Sequence, residues 1–187
     1  MLVERAHVQP GETVLVLGAG SGVGVAAIQI AKLFGARVIA AASTAAKLQA
    51  ARALGADDVI DYATGDLVVE MKRLTDRRGA DIVFEHTGAA TFPKAVVVAA
   101  RGGRIVTCGA TDGHEATLNL RHVFWRHLSI LGSTLAPKTT LFTVVDRLAA
   151  GQLRPVVHRV LPLGDVAVAH ATLEARAAFG KIVLTTA

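Results

Sequence analysis

Two hydrophobic periods alternate along the chain. Short Val-, Ile- and Ala-rich runs are separated by stretches in which apolar residues return every three or four positions. The runs predict strands and the stretches predict helices. The Pro10-Gly11 turn launches a first strand, Val14–Leu17. A helix is expected over Val23–Leu33, with Gly35 as its natural stop. The pattern then gives a strand over Arg37–Ala42, a helix over Ala45–Leu54, a strand over Val59–Asp61 and a more polar helix over Asp66–Leu74. A fourth strand is expected at Asp81–Glu85, a helix at Ala90–Ala100 and a fifth strand at Arg104–Cys108. Leu120–Arg126 reads as helix, Leu128–Gly132 as a sixth strand, and Lys138–Ala150 as a helix capped by Gly151.

Strands alternating with helices at this spacing predict an α/β domain, with a parallel sheet covered on both faces. Right-handed crossovers make that a doubly wound six-stranded sheet, and the order expected is the Rossmann one, 3-2-1-4-5-6. The tail breaks the rhythm. Pro155–Leu163 reads as extended, Asp165–Ala178 as helix and Lys181–Thr185 as strand. The expected division is therefore a domain over 1–158, with 1–13 as a lead-in, and a C-terminal extension over 159–187. That extension is either an appendix to the sheet or a segment that packs on something else.

Composition narrows the class. A chain of 187 residues suits one domain. At 52% hydrophobic and 4% aromatic, it suits tightly packed helix-on-sheet layers built from small side chains. Cys108 is the only cysteine, which excludes an internal disulfide and fits a reducing cytoplasm. No basic-then-apolar leader opens the sequence. Thr13 to Ala31 carries no charge, and a membrane span needs ~20 mostly apolar residues. Four glycines sit in the middle of that stretch, and each costs about 1 kcal/mol in a helix interior. Strand, turn and helix is the better reading, and no membrane partner is expected. The net charge of +5 raises nucleic acid as a partner. The basic residues are dispersed, however, with the densest groups at Lys72-Arg73, Arg77-Arg78 and Arg121–Arg126, and few aromatics are available to stack on bases. A solvated basic surface with a modest pull on anions follows, and no nucleic-acid site.

The chemistry concentrates where the first strand meets the first helix, in VLVLGAGSGVG. Gly18, Gly20, Gly22 and Gly24 stand two apart. Side chains this small let a ligand approach the backbone, and amides at a helix start favour negative charge. Diphosphate is the usual occupant, so this turn is expected to bind a dinucleotide. Other glycine motifs fail. A phosphate-binding P-loop needs Lys then Ser or Thr after its last glycine, where Val25-Ala26 stand. A nucleophile elbow needs glycines two before and two after Ser21, where Ala19 and Val23 stand. Ser21 is a loop donor or a spacer.

An acidic residue about 20 positions after the glycines often binds the 2′-hydroxyl of NAD. Between Glu12 and Asp57 there is no Asp or Glu at all. Ser43 and Thr44 end the second strand, and Lys47 lies one helical turn on. Hydroxyl donors and a cation, with no carboxylate, favour the 2′-phosphate of NADP(H) over NAD. Ser43 or Thr44 can equally cap the following helix, with Lys47 as solvated surface.

The segments GETVLVLGAGSGVGVAAIQIAKLFGARVIA, KLQAARALGADDVIDY, GGRIVTCGA, LSILGST and FGKIVL, in this order, resemble the medium-chain dehydrogenase/reductase superfamily, in its zinc-type alcohol dehydrogenase and quinone oxidoreductase branches. The resemblance covers nearly the whole chain. It implies a Rossmann cofactor domain, a nicotinamide cofactor, and a homodimer formed through the edge of the sixth strand. It places Gly22, Val23 and Gly24 at the diphosphate, and Ser43, Lys47 and Tyr62 around the 2′-phosphate. It places Thr87-Gly88, Cys108-Gly109-Ala110 and Gly132-Ser133-Thr134 at strand ends facing the nicotinamide. It also implies a catalytic domain before the glycine turn, where only Met1–Thr13 stand here. This chain is thus expected to be the cofactor domain of an oxidoreductase acting on an alcohol, carbonyl, quinone or activated alkene.

No catalytic or metal-binding set is expected within the chain. Zinc needs three or four ligands, and one Cys with seven scattered His offers no suitable spacing. His86, at the end of the fourth strand, is placed to touch cofactor rather than metal. Cys108 is expected to be a buried strand residue lining the cleft. The short-chain dehydrogenase pattern of Tyr and Lys four apart is absent, since the only tyrosine is Tyr62 and position 66 is Asp. Two alternatives remain: a stand-alone NADPH sensor or scaffold, and an enoyl reductase segment of a fatty-acid or polyketide synthase.

Overall fold

The computed structural model describes residues 1–186. Six strands form one parallel sheet: β1 (Thr13–Val16), β2 (Arg37–Ala42), β3 (Asp58–Asp61), β4 (Ala80–Glu85), β5 (Ala99–Thr107) and β6 (Ser129–Gly132). Their order is β3-β2-β1-β4-β5-β6, with the switch of direction between β1 and β4. Helices α1 (Gly22–Leu33), α2 (Ala45–Ala53), α3 (Leu67–Leu74), α4 (Phe92–Val98) and α5 (Leu120–Trp125) make the crossovers, and α6 (Lys138–Ala149) follows β6.

The period-two alternation of each strand sorts its side chains between two cores. Val14, Val16, Val38, Ala40, Ile82 and Phe84 face α1, where Ala27, Ile28 and Ala31 pack against them. Leu15, Leu17, Ile39, Ala41, Val83 and Ile105 face the other way, onto Leu67 and Met71 of α3 and Ala95 and Val96 of α4. All four β1 residues are buried, which is why this strand reads as an unbroken apolar run. The lead-in belongs to the same body. Leu2, Ala6 and Val8 are buried in the first core. The Arg104 guanidinium ties the lead-in down through the Ala6 carbonyl and Glu12.

The boundaries around β5 differ from the sequence expectation. Helix α4 stops at Val98, because Ala99 is already extended and pairs with Ala80. Strand β5 therefore starts before Gly102-Gly103 and passes them with a shift in register. It ends at Thr107, so Cys108 lies beyond the sheet and is exposed rather than buried. The apolar alternation of β5 runs out one residue before it.

The tail forms a body of its own. Strand β7 (Val157–Pro162) leads through a single 3₁₀ turn into α7 (Val166–Glu174) and then β8 (Lys181–Thr185). β7 pairs in parallel with β8 as a separate two-stranded sheet, not with the main one. β7 begins at Val157, two residues inside the expected 1–158 domain. Helix α7 ends at Glu174 instead of Ala178, since Arg176 turns left-handed (φ 52°) and the Ala177 amide reaches back to the Thr172 carbonyl. The tail then returns to the glycine turn, where the Gly180 amide donates to the Gly20 carbonyl at 2.8 Å. Among the described residues, no helix is long and apolar enough to cross a membrane.

Candidate functional site

A cleft of about 940 Å³ opens at the carboxyl ends of β1, β2 and β4, beside the switch point of the sheet. That is where open α/β sheets bind their ligands, and the volume lies within the usual range for small-molecule sites. Its floor is the glycine turn: Gly18, Gly20, Ser21, Gly22 and Val23.

The turn has this shape for local reasons. Gly18 is left-handed (φ 60°), a conformation that favours glycine. The His86 ring also fills the space that a Cβ at Gly18 would need, 2.9 Å away. Gly24 lies behind the turn, outside the cleft wall. A Cβ there would sit 2.5 Å from the Gly18 carbonyl oxygen, so only glycine lets α1 pack this close to β1. Ser21 caps α1, its Oγ accepting from the Gly24 amide at 2.9 Å. The same Oγ lies 3.1 Å from His86 Nε2. No acidic residue stands in the first turn of α1, so the positive end of the helix is left for a ligand.

The β2 end builds a second wall from Ala42, Ser43, Lys47 and Tyr62. Here the structure separates two neighbouring hydroxyls. Ser43 lines the cleft, whereas Thr44 caps α2 by accepting from the Lys47 amide. The capping role and the cleft role, both open in the sequence, thus fall to different residues. Lys47 Nζ donates to the Arg176 carbonyl at 2.5 Å. Burial, and next the nearby Arg176 charge, hold the Lys47 ammonium below the usual lysine range.

The third wall is the tail, which sequence reasoning did not place here. Leu173, Glu174, Arg176, Ala178, Lys181 and Ile182 line the cleft. Lys181 lies directly over the glycine turn, its aminoalkyl end occupying the space beside the Gly22 Cα. The sequence signal was present: a lone cation at the start of the FGKIVL segment. Its strand neighbour was unknown, so its target was invisible.

The fourth wall is His86, Thr87, Thr111 and Asp112. Glu85, fully buried below it, shapes the turn, its Oε1 accepting from the Thr87 and Gly88 amides and the Thr91 hydroxyl. The Asp112 amide donates back to the Thr87 carbonyl at 2.7 Å. Gly88 is buried next to Ala110, and Gly109 packs on His86. The remaining expected residues are Cys108, Gly109, Ala110, Gly132, Ser133 and Thr134. They form a ledge along the ends of β5 and β6, joined by the bond from the Ser133 amide to the Thr107 carbonyl. None of the six lines the cleft itself. Thr111 and Asp112, a few residues further on, take that place because the loop after β5 folds back over Thr87.

Among the described residues, no three His, Cys, Asp or Glu side chains come together as a set that could hold a metal. Zinc requires at least three protein ligands, so the described residues do not fit one.

Doubly wound topology, a serine-capped glycine turn at the switch point and cations on two walls define a dinucleotide-binding domain. The chain belongs to the zinc-binding dehydrogenase family, whose pattern it matches over residues 22–150. It is 31% identical to the quinone oxidoreductase of Homo sapiens, across 98% of this chain and 57% of that protein. It is also 31% identical to an NAD-dependent alcohol dehydrogenase of Sulfurisphaera tokodaii, across 97% of this chain and 53% of that protein. A solved NAD-dependent alcohol dehydrogenase superimposes with a TM-score of 0.95 at 52% identity, covering 100% of this chain and 55% of the other. A 2-octenoyl-CoA carboxylase reductase solved in complex with NADP and 2-octenoyl-CoA gives a TM-score of 0.85 at 34% identity, covering 96% of this chain and 44% of the other. The chain spans about half the length of the curated relatives it matches.

Proposed function

We propose that this chain binds NADP(H) across the cleft and is the cofactor-holding part of an oxidoreductase. The reaction class is hydride transfer between nicotinamide and an alcohol or carbonyl, a quinone or an activated alkene. The bound nicotinamide supplies the hydride chemistry, and the chain's residues hold and orient it. The observation that carries the reading is the turn Gly18–Gly24, with its unneutralised helix start and Lys181 above it. Backbone amides and Lys181 hold the diphosphate. Ser43, Lys47 and Tyr62 surround the adenine ribose, where the absence of any carboxylate between Glu12 and Asp57 favours a 2′-phosphate. Thr87-Gly88 and the ledge of Cys108–Ala110 and Gly132–Thr134 form the platform for the nicotinamide half. No residue of the chain is assigned a proton-transfer role.

Solved relatives in complex with NADP support the cofactor choice, one of them a crotonyl-CoA carboxylase/reductase, while the NAD-dependent alcohol dehydrogenases among the matches support NAD. Titration calorimetry of the 187-residue chain with NADPH and NADH tests the reading. Tighter binding of NADPH is expected. Failure to bind either nucleotide overturns the reading, and equal affinity overturns only the 2′-phosphate assignment. If the chain binds NADPH but reduces no aldehyde, quinone or enoyl thioester, it acts alone only as a binding module.

A further inference from the structure

His86 serves neither the sheet core nor a metal, yet it is built tightly into the nucleotide turn. Three contacts fix its ring. It stands edge-on to Phe84, with centroids 5.9 Å apart and planes at 68°. It fills the space over Gly18 that a side chain would otherwise occupy. Its Nε2 lies 3.1 Å from Ser21 Oγ. Phe84 is buried, so the ring is backed from the core side.

The hydrogen count at Ser21 Oγ then decides what the turn can offer a ligand. A hydroxyl has one hydrogen and two lone pairs. One lone pair is taken by the Gly24 amide at 2.9 Å. If His86 Nε2 is unprotonated, the hydroxyl hydrogen must point at it, and Ser21 has nothing to give an anion. If Nε2 carries the proton, His86 donates into the second lone pair. The hydroxyl hydrogen is then left over and turns toward the cleft.

Resting on the dinucleotide reading above, we infer that His86 is a positioning residue. It holds its proton on Nε2, donates to Ser21 Oγ, and so directs the Ser21 hydroxyl hydrogen at a diphosphate oxygen. It acts from the end of β4 on a donor at the start of α1, 65 residues earlier.

The test is a double-mutant cycle read by calorimetry with NADPH and NADH, using Ser21→Ala, His86→Phe and the pair. His86→Phe keeps a ring against Gly18 and Phe84 but removes the donor. Ser21→Ala is expected to weaken both nucleotides about three- to tenfold, the scale of one hydrogen bond, and His86→Phe, which leaves the Ser21 hydrogen present but unoriented, to weaken both by a smaller factor. The pair is expected to cost little more than Ser21→Ala alone. His86→Gln, whose carboxamide can donate, is expected to recover part of the loss. Nitrogen-15 NMR of the wild-type imidazole, which needs no substitution, is expected to show the proton on Nε2 with nucleotide bound. Additive losses, or a bound-state proton on Nδ1 alone, overturn the inference while leaving the dinucleotide reading intact. A wild-type chain that binds neither nucleotide overturns both.

Discussion

At the scale of single residues, the cleft carries charge that the chain's own groups leave partly unsatisfied. Lys47 is only partly committed: one of its three ammonium hydrogens goes to the Arg176 carbonyl, leaving two free. Lys47→Ala is expected to weaken NADPH by roughly 1–3 kcal/mol, the scale of a charge-assisted contact, and to leave NADH nearly unchanged. Calorimetry checks this, and equal losses for both would remove Lys47 from the 2′-phosphate. Lys181 lies over the glycine turn, where the proposed reading puts the diphosphate common to both nucleotides, so Lys181→Gln should weaken the two alike. Gly24→Ala places a methyl group 2.5 Å from the Gly18 carbonyl. It should cost about 1–3 kcal/mol of stability from overpacking, read by thermal unfolding, and spread the turn enough to lose nucleotide. The glycines, Ser21, Ser43 and Lys47 were legible in the sequence because strand, turn and helix are local. Arg176 and Lys181 were not, because their role depends on a return of the chain over more than a hundred residues.

At the scale of elements, the ends of strands are held by carboxylates that accept from neighbouring amides. Asp81, at the start of β4, accepts from the Thr13 amide at 2.8 Å and from both ends of the Arg78 guanidinium. Burial pushes its carboxyl upward, but the bonds from Arg78 and Thr13 outweigh this and hold it below the ordinary value of 3.8. A carboxyl depressed by folding adds stability above its unfolded pKa, and that stability is lost as pH falls through the folded value. Asp81→Asn should therefore destabilise the chain near pH 7 and flatten the loss of stability between about pH 4 and the lower folded value. Denaturant melts across pH check this, and an unchanged acid limb would count against the assignment. The tail is the other element-scale result. Its helix and strands were read closely from periodicity. Their pairing with each other and their bond to Gly20 were not, because period two fixes which face a residue takes and says nothing of which strand lies beside it.

At the scale of the whole molecule, one side of the sheet stands open. β6 is an edge strand with Ile130 exposed, and Leu120, Phe124 and Trp125 of α5 and Leu141 and Phe142 of α6 are exposed around it. Unpaired edges invite pairing with another chain. We expect a homodimer formed across this edge, visible as a doubled mass in light scattering and lost on Ile130→Lys. A clean wild-type monomer would refute it.

The sequence by itself determined the class of fold and the glycine turn that floors the cleft. These follow from hydrophobic period, turn residues and the handedness of crossovers, which act over a few neighbouring residues. Only the tertiary structure decided that the tail walls the cleft, that Thr44 caps while Ser43 lines, and that Cys108 stands outside the sheet. Those outcomes depend on which distant backbone and side-chain groups meet, and burial and hydrogen bonding settle that only once the whole chain has packed.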